Sequence, residues 1–188
     1  TGSELVEVGK RSRAGQVFAS NLHTVVHLVY RCGGNAGSLE IAEDNLNVVT
    51  STIQRGIKAD VLVTTGGTGK GKKDLVSAAV AKLGGDLGFY GIAMTPGKQT
   101  LFATLGDTLL FGLPGRPPAT YIAFEQLVRP ALLRMLEISP VFLPEMTATL
   151  SQPIKGKEKI LSFLFCRLFF GPDGLEAEYL RSKTKGML

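Results

Sequence analysis

The chain contains no tryptophan, and aromatic residues make up only 7% of it. No stretch interleaves basic with aromatic side chains, so the stacking platform of a single-strand nucleic-acid binder is missing. That absence outweighs a net charge of +5 and a pI near 9.3. The positive excess reads as a solvated surface or as a site for a small anion, and no nucleic-acid partner is expected. Cysteine is scarce too. Cys32 and Cys166 stand far apart without a CxxC pair, which argues against a disulfide framework or a zinc site and fits a reducing cytoplasm. No apolar run approaches the ~20 residues of a bilayer-spanning helix, so no membrane partner is expected. No charged-then-apolar leader is present, so no secretion signal is expected. The opening TGSELVE lacks Met and reads as the start of an excised piece of a longer protein.

What is present is a folded composition. Of 188 residues, 44% are hydrophobic and 20% charged, enough for one large core or a larger and a smaller domain. From residue 17 the pattern alternates strand and helix. QVFAS is a short extended piece, and Ser20 or Asn21 can cap a helix carrying Leu22, Val25, Val26 and Val29 on one face. Gly33 and Gly34 end it. AGSLEIA reads as a second strand. Asp44 or Asn45 caps the next helix, with Leu46, Val49, Ile53 and Ile57 on one face. DVLVTT is a near-continuous apolar strand of the kind buried on both faces of a parallel sheet. A helix from about Asp74 to Leu83 follows, then a strand in LGFYGIAM, a hairpin turning at Gly106-Asp107, and a long helix from Ala119 to Leu136. Residues 1–140 are therefore expected to form a three-layer α/β/α domain with a mostly parallel sheet. After EISPVFLPE the texture changes to short extended runs, so residues 141–188 are expected to form a separate, incomplete β module.

Ligands of open α/β sheets gather at the carboxyl ends of strands, and three loops are expected there. In TTGGTGKGKKD, the glycines Gly66, Gly67 and Gly69 let backbone N–H groups approach an anion, the following helix adds its positive end, and Thr68 adds a hydroxyl. Pro96-Gly97-Lys98 presents an ammonium, and Pro114-Gly115-Arg116 presents a guanidinium suited to an oxyanion. The three are expected to converge on one phosphate or oxyanion pocket with few acids nearby. The spacing is neither GxxxxGK[ST] nor GxGxxG. Asp74 closes the first loop, either as a plain helix cap or as a carboxylate beside a cation. Lys70, Lys72 and Lys73 read as a solvated loop face. His23 and His27, four apart on a helix, lack a visible third metal ligand.

Three stretches, ADVLVTTGGTGKGKKDLV, GIAMTPGKQTLFATLGDTLLFGLPGRPPA and FEQLVRPAL, resemble the molybdopterin-binding domain of the MoeA/gephyrin family, the molybdopterin molybdenumtransferases. TGSELVE is similar to that family's TGDELV entry, and the tail is similar to the start of its small C-terminal β domain. The resemblance implies molybdenum cofactor biosynthesis in the cytoplasm: insertion of molybdate into adenylylated molybdopterin, release of AMP, and help from magnesium, in a protein that is a homodimer when full-length. Carried over by motif, it implies Ser20, Asn21, Gly66, Gly67, Thr68, Gly69, Pro96, Gly97, Pro114 and Gly115 as binding residues, to which the third loop's own guanidinium adds Arg116. It implies Asp74 and Lys98 as catalytic residues, with Asp74 also the metal ligand. The chain departs from the family at Ala19, where an Asp is usual, at Arg116 in place of Asn, and at TGKGKKD in place of VSVGDYD. These departures leave open a MogA-like adenylyltransferase, to which GGTG is closer, or a non-catalytic pterin-binding or scaffold paralogue. The piece alone is expected neither to insert molybdate nor to dimerise strongly.

Overall fold

The computed structural model describes residues 1–69, 74–156, 158–172 and 174–180. Short strands β1 (Leu5–Val6) and β2 (Val17–Phe18) pair in parallel. They lead into α1 (Ser20–Arg31), and α2 (Leu46–Gly56) follows. Next come β3 (Val61–Thr65), α3 (Leu75–Lys82), β4 (Asp86–Tyr90) and β5 (Met94–Thr95). The strands β6 (Leu101–Leu105) and β7 (Thr108–Leu113) form the expected hairpin, closed by Leu105 opposite Thr108. Its turn uses Gly106 at φ +60°, where glycine avoids the Cβ penalty of left-handed backbone.

A four-stranded sheet in the order β3-β7-β6-β4 forms the centre. Parallel pairings outnumber antiparallel ones over the described residues, but this central sheet is mixed. β3 runs parallel to β7, while the hairpin and β4 add antiparallel neighbours. Alternation along the strands sorts side chains to two faces. Leu101, Ala103, Leu105 and Leu110 pack with Val49 and Ile53 of α2 and Val76, Ala79 and Val80 of α3. Phe111 and Leu113 pack on the other face with Leu28 and Cys32 at the end of α1 and with Phe124, Val128, Leu132 and Leu133. Helices thus cover both faces, giving the three layers expected.

Asn45 caps α2, its side chain accepting from the amides of Asn47 and Val48. The expected cap of α1 is not formed. Ser20 and Asn21 lie inside that helix, and Ala19, at the cap position, offers no side-chain acceptor. The expected long helix is present but in three parts. α4 (Pro117–Ala123) passes through a π-helical turn (Phe124–Val128) into α5 (Arg129–Met135). Pro130 supplies the reason: it has no N–H for the preceding turn, and a wider turn accommodates the missing bond. Within it, Glu125 lies 3.6 Å from Arg129, and Arg129 donates to the carbonyl of Val141, tying down the chain that leaves α5.

Two expectations are corrected. AGSLEIA forms no strand. Gly37 to Glu40 are exposed, and the backbone there meets the rest of the chain where the Ala42 carbonyl accepts from Gly2 N–H. A strand needs a neighbour for its amides, and this segment has none among the described strands. β3, expected to be buried on both faces, is half-buried along its whole length because it lies at the edge of the sheet.

Beyond α5 come β8 (Thr149–Leu150), β9 (Leu161–Ser162), β10 (Cys166–Gly171) and β11 (Gly174–Tyr179). β10, β11 and β8 make a sheet of their own, and β9 pairs with β5. Among the described residues no helix is long and apolar enough to cross a membrane.

Candidate functional site

β3 and β7 end side by side, with Thr65 opposite Leu113, so the loops that follow them meet. Gly66 and Gly67 both adopt left-handed backbone, at φ +76° and +67°, which a residue with a Cβ adopts at a cost of about 1–2 kcal/mol. Space adds a second requirement: a Cβ on Gly66 would lie 2.6 Å from the Thr1 carbonyl oxygen, and one on Gly67 would strike Thr1 Oγ1. Gly66 N–H donates to the Leu113 carbonyl at 3.0 Å. From the other loop, a Cβ on Gly115 would come within 3.3 Å of Gly66 Cα. The Asn21 side-chain amide on α1 donates to the Gly115 carbonyl at 2.7 Å. Thr120 fixes the same turn, its hydroxyl donating to Pro114 O at 2.6 Å.

These groups line one end of a cleft of about 1560 Å³ that runs along β3 between α1 and α2. Ser20, Asn21, Gly66, Gly67, Gly69, Gly115 and Arg116 all line it. Thr1 Oγ1, Asn21 Oδ1 and Thr64 Oγ1 are buried polar atoms with no hydrogen-bond partner. Buried polar groups are nearly always paired, so three at one cleft mark a place where a polar ligand can be held.

Other candidates are placed differently. Thr68 is buried, and its hydroxyl faces the Leu113 carbonyl at 3.4 Å, so it holds the loop in place. Asp74 pairs with Thr68 in an antiparallel bridge and caps α3, accepting from Ser77 N–H at 3.1 Å. Its carboxylate therefore already sits at the positive end of that helix. Pro114 supports its turn from within and does not line the cleft. Pro96, Gly97 and Lys98 also lie outside the lining. Gly97 is buried and its carbonyl accepts from Thr100 Oγ1, while Lys98 is exposed on the turn leading into β6. The loops after β3 and β7 thus share a cleft from which Lys98 is absent. The expectation of few acids is also corrected, because Glu4 and Asp44 line the cleft near Thr1. Ala19 is buried beside it. Lys70, Lys72 and Lys73 lie outside the described residues. Among the described residues no three His, Cys, Asp or Glu side chains gather as a metal site, His23 and His27 included.

Three residues at this edge escape sequence reasoning. Thr1 and Thr64 carry two of the unpaired hydroxyls. Tyr90, at the end of β4, donates its hydroxyl to the Thr68 carbonyl at 3.0 Å. Burial, and then the negative charge of Asp74, push its phenol above the usual range. The only sequence signal was position: Thr64 lies one residue before the end of β3 and Tyr90 ends β4, and the carboxyl ends of both strands lie at one edge.

The family described as "Probable molybdopterin binding domain" matches residues 1–134. The molybdopterin molybdenumtransferase of Haemophilus influenzae is 35% identical over 136 residues, covering 72% of this chain and 33% of that protein. Its counterpart in Bacillus subtilis is 36% identical over 133 residues, covering 70% and 31%. The chain thus spans about a third of the length of these curated relatives. Among solved structures, a molybdopterin biosynthesis MoeA protein from Pyrococcus horikoshii superposes with a TM-score of 0.78 at 25% identity, covering 98% of this chain and 44% of that one. With the two glycine loops joined at one sheet edge and the match running through both, the chain belongs to the molybdopterin-binding domain family.

Proposed function

We propose that this chain is the pterin-binding part of a molybdopterin molybdenumtransferase, acting in molybdenum cofactor biosynthesis on adenylylated molybdopterin and molybdate with release of AMP. The observation that carries the reading is the joined pair of loops, Gly66–Gly67 against Gly115, beside the unpaired polar atoms of Thr1, Asn21 and Thr64. Left-handed glycines bring backbone close to a ligand, and the three polar atoms match the many donors of a pterin ring. Arg116, exposed where α4 begins, is the cation placed to meet a phosphate or molybdate oxygen. Asp74 and Lys98 are not among the residues that line the cleft, and any catalytic part they play is exercised from outside its lining.

A magnesium ion is not supported as a protein-built site. Asp74 already accepts the Ser77 amide, and no cluster of three ligating side chains joins it among the described residues. Residues 1–140 act in this reading as the ligand-binding unit and 141–188 as an appended β unit of a longer cytoplasmic, homodimeric protein. The separate sheet of β8, β10 and β11 supports that division.

The test is calorimetric titration of adenylylated molybdopterin into the chain and its variants. Arg116→Ala is expected to weaken binding by about one to two decades, the loss of one charge-assisted contact of about 1.5–3 kcal/mol. Lys98→Ala, outside the lining, is expected to do less. Equal and small effects would mean that the positive charge is generic surface. In the longer protein, AMP release marks the transferase, AMP attachment an adenylyltransferase, and binding without turnover a scaffold.

A further inference from the structure

The segment that joins β1 to β2 carries Lys10, Arg11 and Arg13, all exposed. Two turns hold it in shape. Lys10 N–H donates to the Glu7 carbonyl at 3.2 Å across Gly9 at φ +91°, and Gln16 N–H donates to the Arg13 carbonyl at 3.1 Å across Gly15 at φ +85°. A positive φ at the third residue of a turn closed in this way is type II geometry. The second turn is braced again, because Arg13 N–H donates to Gln16 Oε1 at 2.9 Å. Beyond it the chain is fixed to β1: Val17 N–H donates to Glu4 O at 2.9 Å and Ala19 N–H to Val6 O at 2.8 Å. Arg11, Ser12 and Arg13 thus stand between two anchored turns.

Their charge is left uncancelled. Glu7, the acid nearest in sequence, is taken by Lys10 at 2.6 Å. Among the described residues no acid forms an ion pair with Arg11 or Arg13. Both guanidinium-bearing residues and Ser12 line one recess of about 450 Å³. None of the three lines the cleft. Two like charges held two residues apart repel each other, and an anion between them turns that repulsion into attraction. Guanidinium forks match the oxygens of a phosphate group in pairs, and a serine hydroxyl adds one more donor. The recess is too small for an acidic protein, whose specific interface needs about 1,000 Å². It has no aromatic lining on which a nucleic-acid base could stack.

We propose that Arg11, Ser12 and Arg13 form a second anion site, separate from the cleft, that takes a phosphate or diphosphate group. The two guanidiniums clamp the group from either side, and the turns at Gly9 and Gly15 keep them in position before it arrives. The site does not depend on the ligand proposed for the cleft.

The probe is inorganic pyrophosphate, titrated into the isotopically labelled chain at about 0.15 M ionic strength, where attraction to scattered surface charge is screened. The arginine Nε–Hε resonances are followed by NMR. Those of Arg11 and Arg13 are expected to shift and saturate, while that of Arg134, exposed on α5, stays still. Arg11→Lys with Arg13→Lys keeps the charge and removes the forks, and is expected to weaken binding roughly tenfold. Arg11→Ala with Arg13→Ala is expected to weaken it further. Arg116→Ala, in the cleft, is expected to leave the response at Arg11 and Arg13 unchanged. A second titration uses ADP. A response to both probes supports the clamp for a group attached to a nucleoside, and a response to pyrophosphate alone supports it for the free ion. Shifts at Arg11 and Arg13 no larger than at Arg134 mean an adventitious ion only and overturn the proposal. Full affinity in the double lysine variant also overturns it, because charge without the forks then suffices. Loss of the response with Arg116→Ala places the anion in the cleft and overturns it too.

Discussion

β3 and β7 lie side by side, run in the same direction and carry similar apolar sequences, VLVTT and TLLFGL. Five of the six residues of β7 are buried or fully enclosed partners of the core, with Leu110 and Leu113 at 0% exposure, while every residue of β3 is half-buried. Composition does not separate the two strands; neighbours do. β7 has β3 on one side and β6 on the other, and β3 has β7 alone. A strand's apolar run makes it a strand, but its burial is decided by what else reaches it.

The sharpest way to break this comparison is to cut side chains from both strands. Leu110→Ala removes a fully buried side chain and is expected to cost about 2–5 kcal/mol. Val63→Ala, half-exposed, is expected to cost about 1 kcal/mol or less. Urea denaturation of both variants decides, and equal losses would mean that β3 is as enclosed as β7.

The next contrast sets the ligand loop against the hairpin. Gly66→Ala meets left-handed backbone and the Thr1 carbonyl 2.6 Å away, whereas Gly106→Ala meets left-handed backbone and open space. Gly106→Ala is expected to cost about 1 kcal/mol, and Gly66→Ala more, by about 1 kcal/mol again. Thermal melts check the order. A smaller loss at Gly66 would mean that Thr1 does not pack on the loop.

Asp74 offers a finer contrast, between cap and chemistry. Asp74→Ala is expected to lose about 1 kcal/mol, as is Asn45→Ala at the other capped helix. Asp74→Asn retains a capping oxygen and is expected to keep most of that stability. If Asp74→Asn keeps stability in melts but loses turnover in the longer protein, the carboxylate does more than cap.

The smallest effects are in pH. The Thr1 ammonium has a folded pKa below its ordinary value because of burial. The folded chain therefore disfavours the charged amine. Stability rises with pH through the folded pKa toward the ordinary value of 8.0 and is lost as pH falls through the folded one. Acetylation of the N-terminus is expected to flatten this slope. Tyr90 acts in the opposite sense. Its folded pKa is raised, so its contribution is present below the ordinary value of 10.0 and is lost as pH climbs through the raised one. Tyr90→Phe is expected to remove that alkaline loss. Stability curves from pH 6 to 11 follow both, and unchanged slopes in the two modified chains would place these groups in solvent.

What was legible in the sequence was what is encoded locally. The Gly106-Asp107 turn, the Asn45 cap and the glycine-punctuated loops after DVLVTT and LLFGL each depend on a few adjacent residues. So did the alternation that sorts Leu101, Ala103 and Leu105 from Phe102. AGSLEIA has strand-like residues but no partner strand among those described, and partnership is not a local property. Thr1, Asn21 and Thr64 converge only because α1 and the ends of β3 and β7 meet. Nothing in the spacing of residues 1, 21 and 64 predicts that. The π turn had a readable signal in Pro130, whose missing N–H forbids a uniform helix. Lys98 looked equivalent to Arg116 as a cation on a proline turn, but the turn before β6 points its backbone into local contacts and leaves the lysine outside the cleft.

The central claim is that the joined glycine loops hold the pterin ligand. It is tested most directly by titrating adenylylated molybdopterin into the isotopically labelled chain and following each backbone amide by NMR. The account predicts the largest shifts at Gly66, Gly67, Gly69 and Gly115 and at the side-chain amide of Asn21, with β10 and β11 silent. Shifts centred away from this edge, or none at ligand concentrations up to about 1 mM, where even weak specific binding registers, would contradict it.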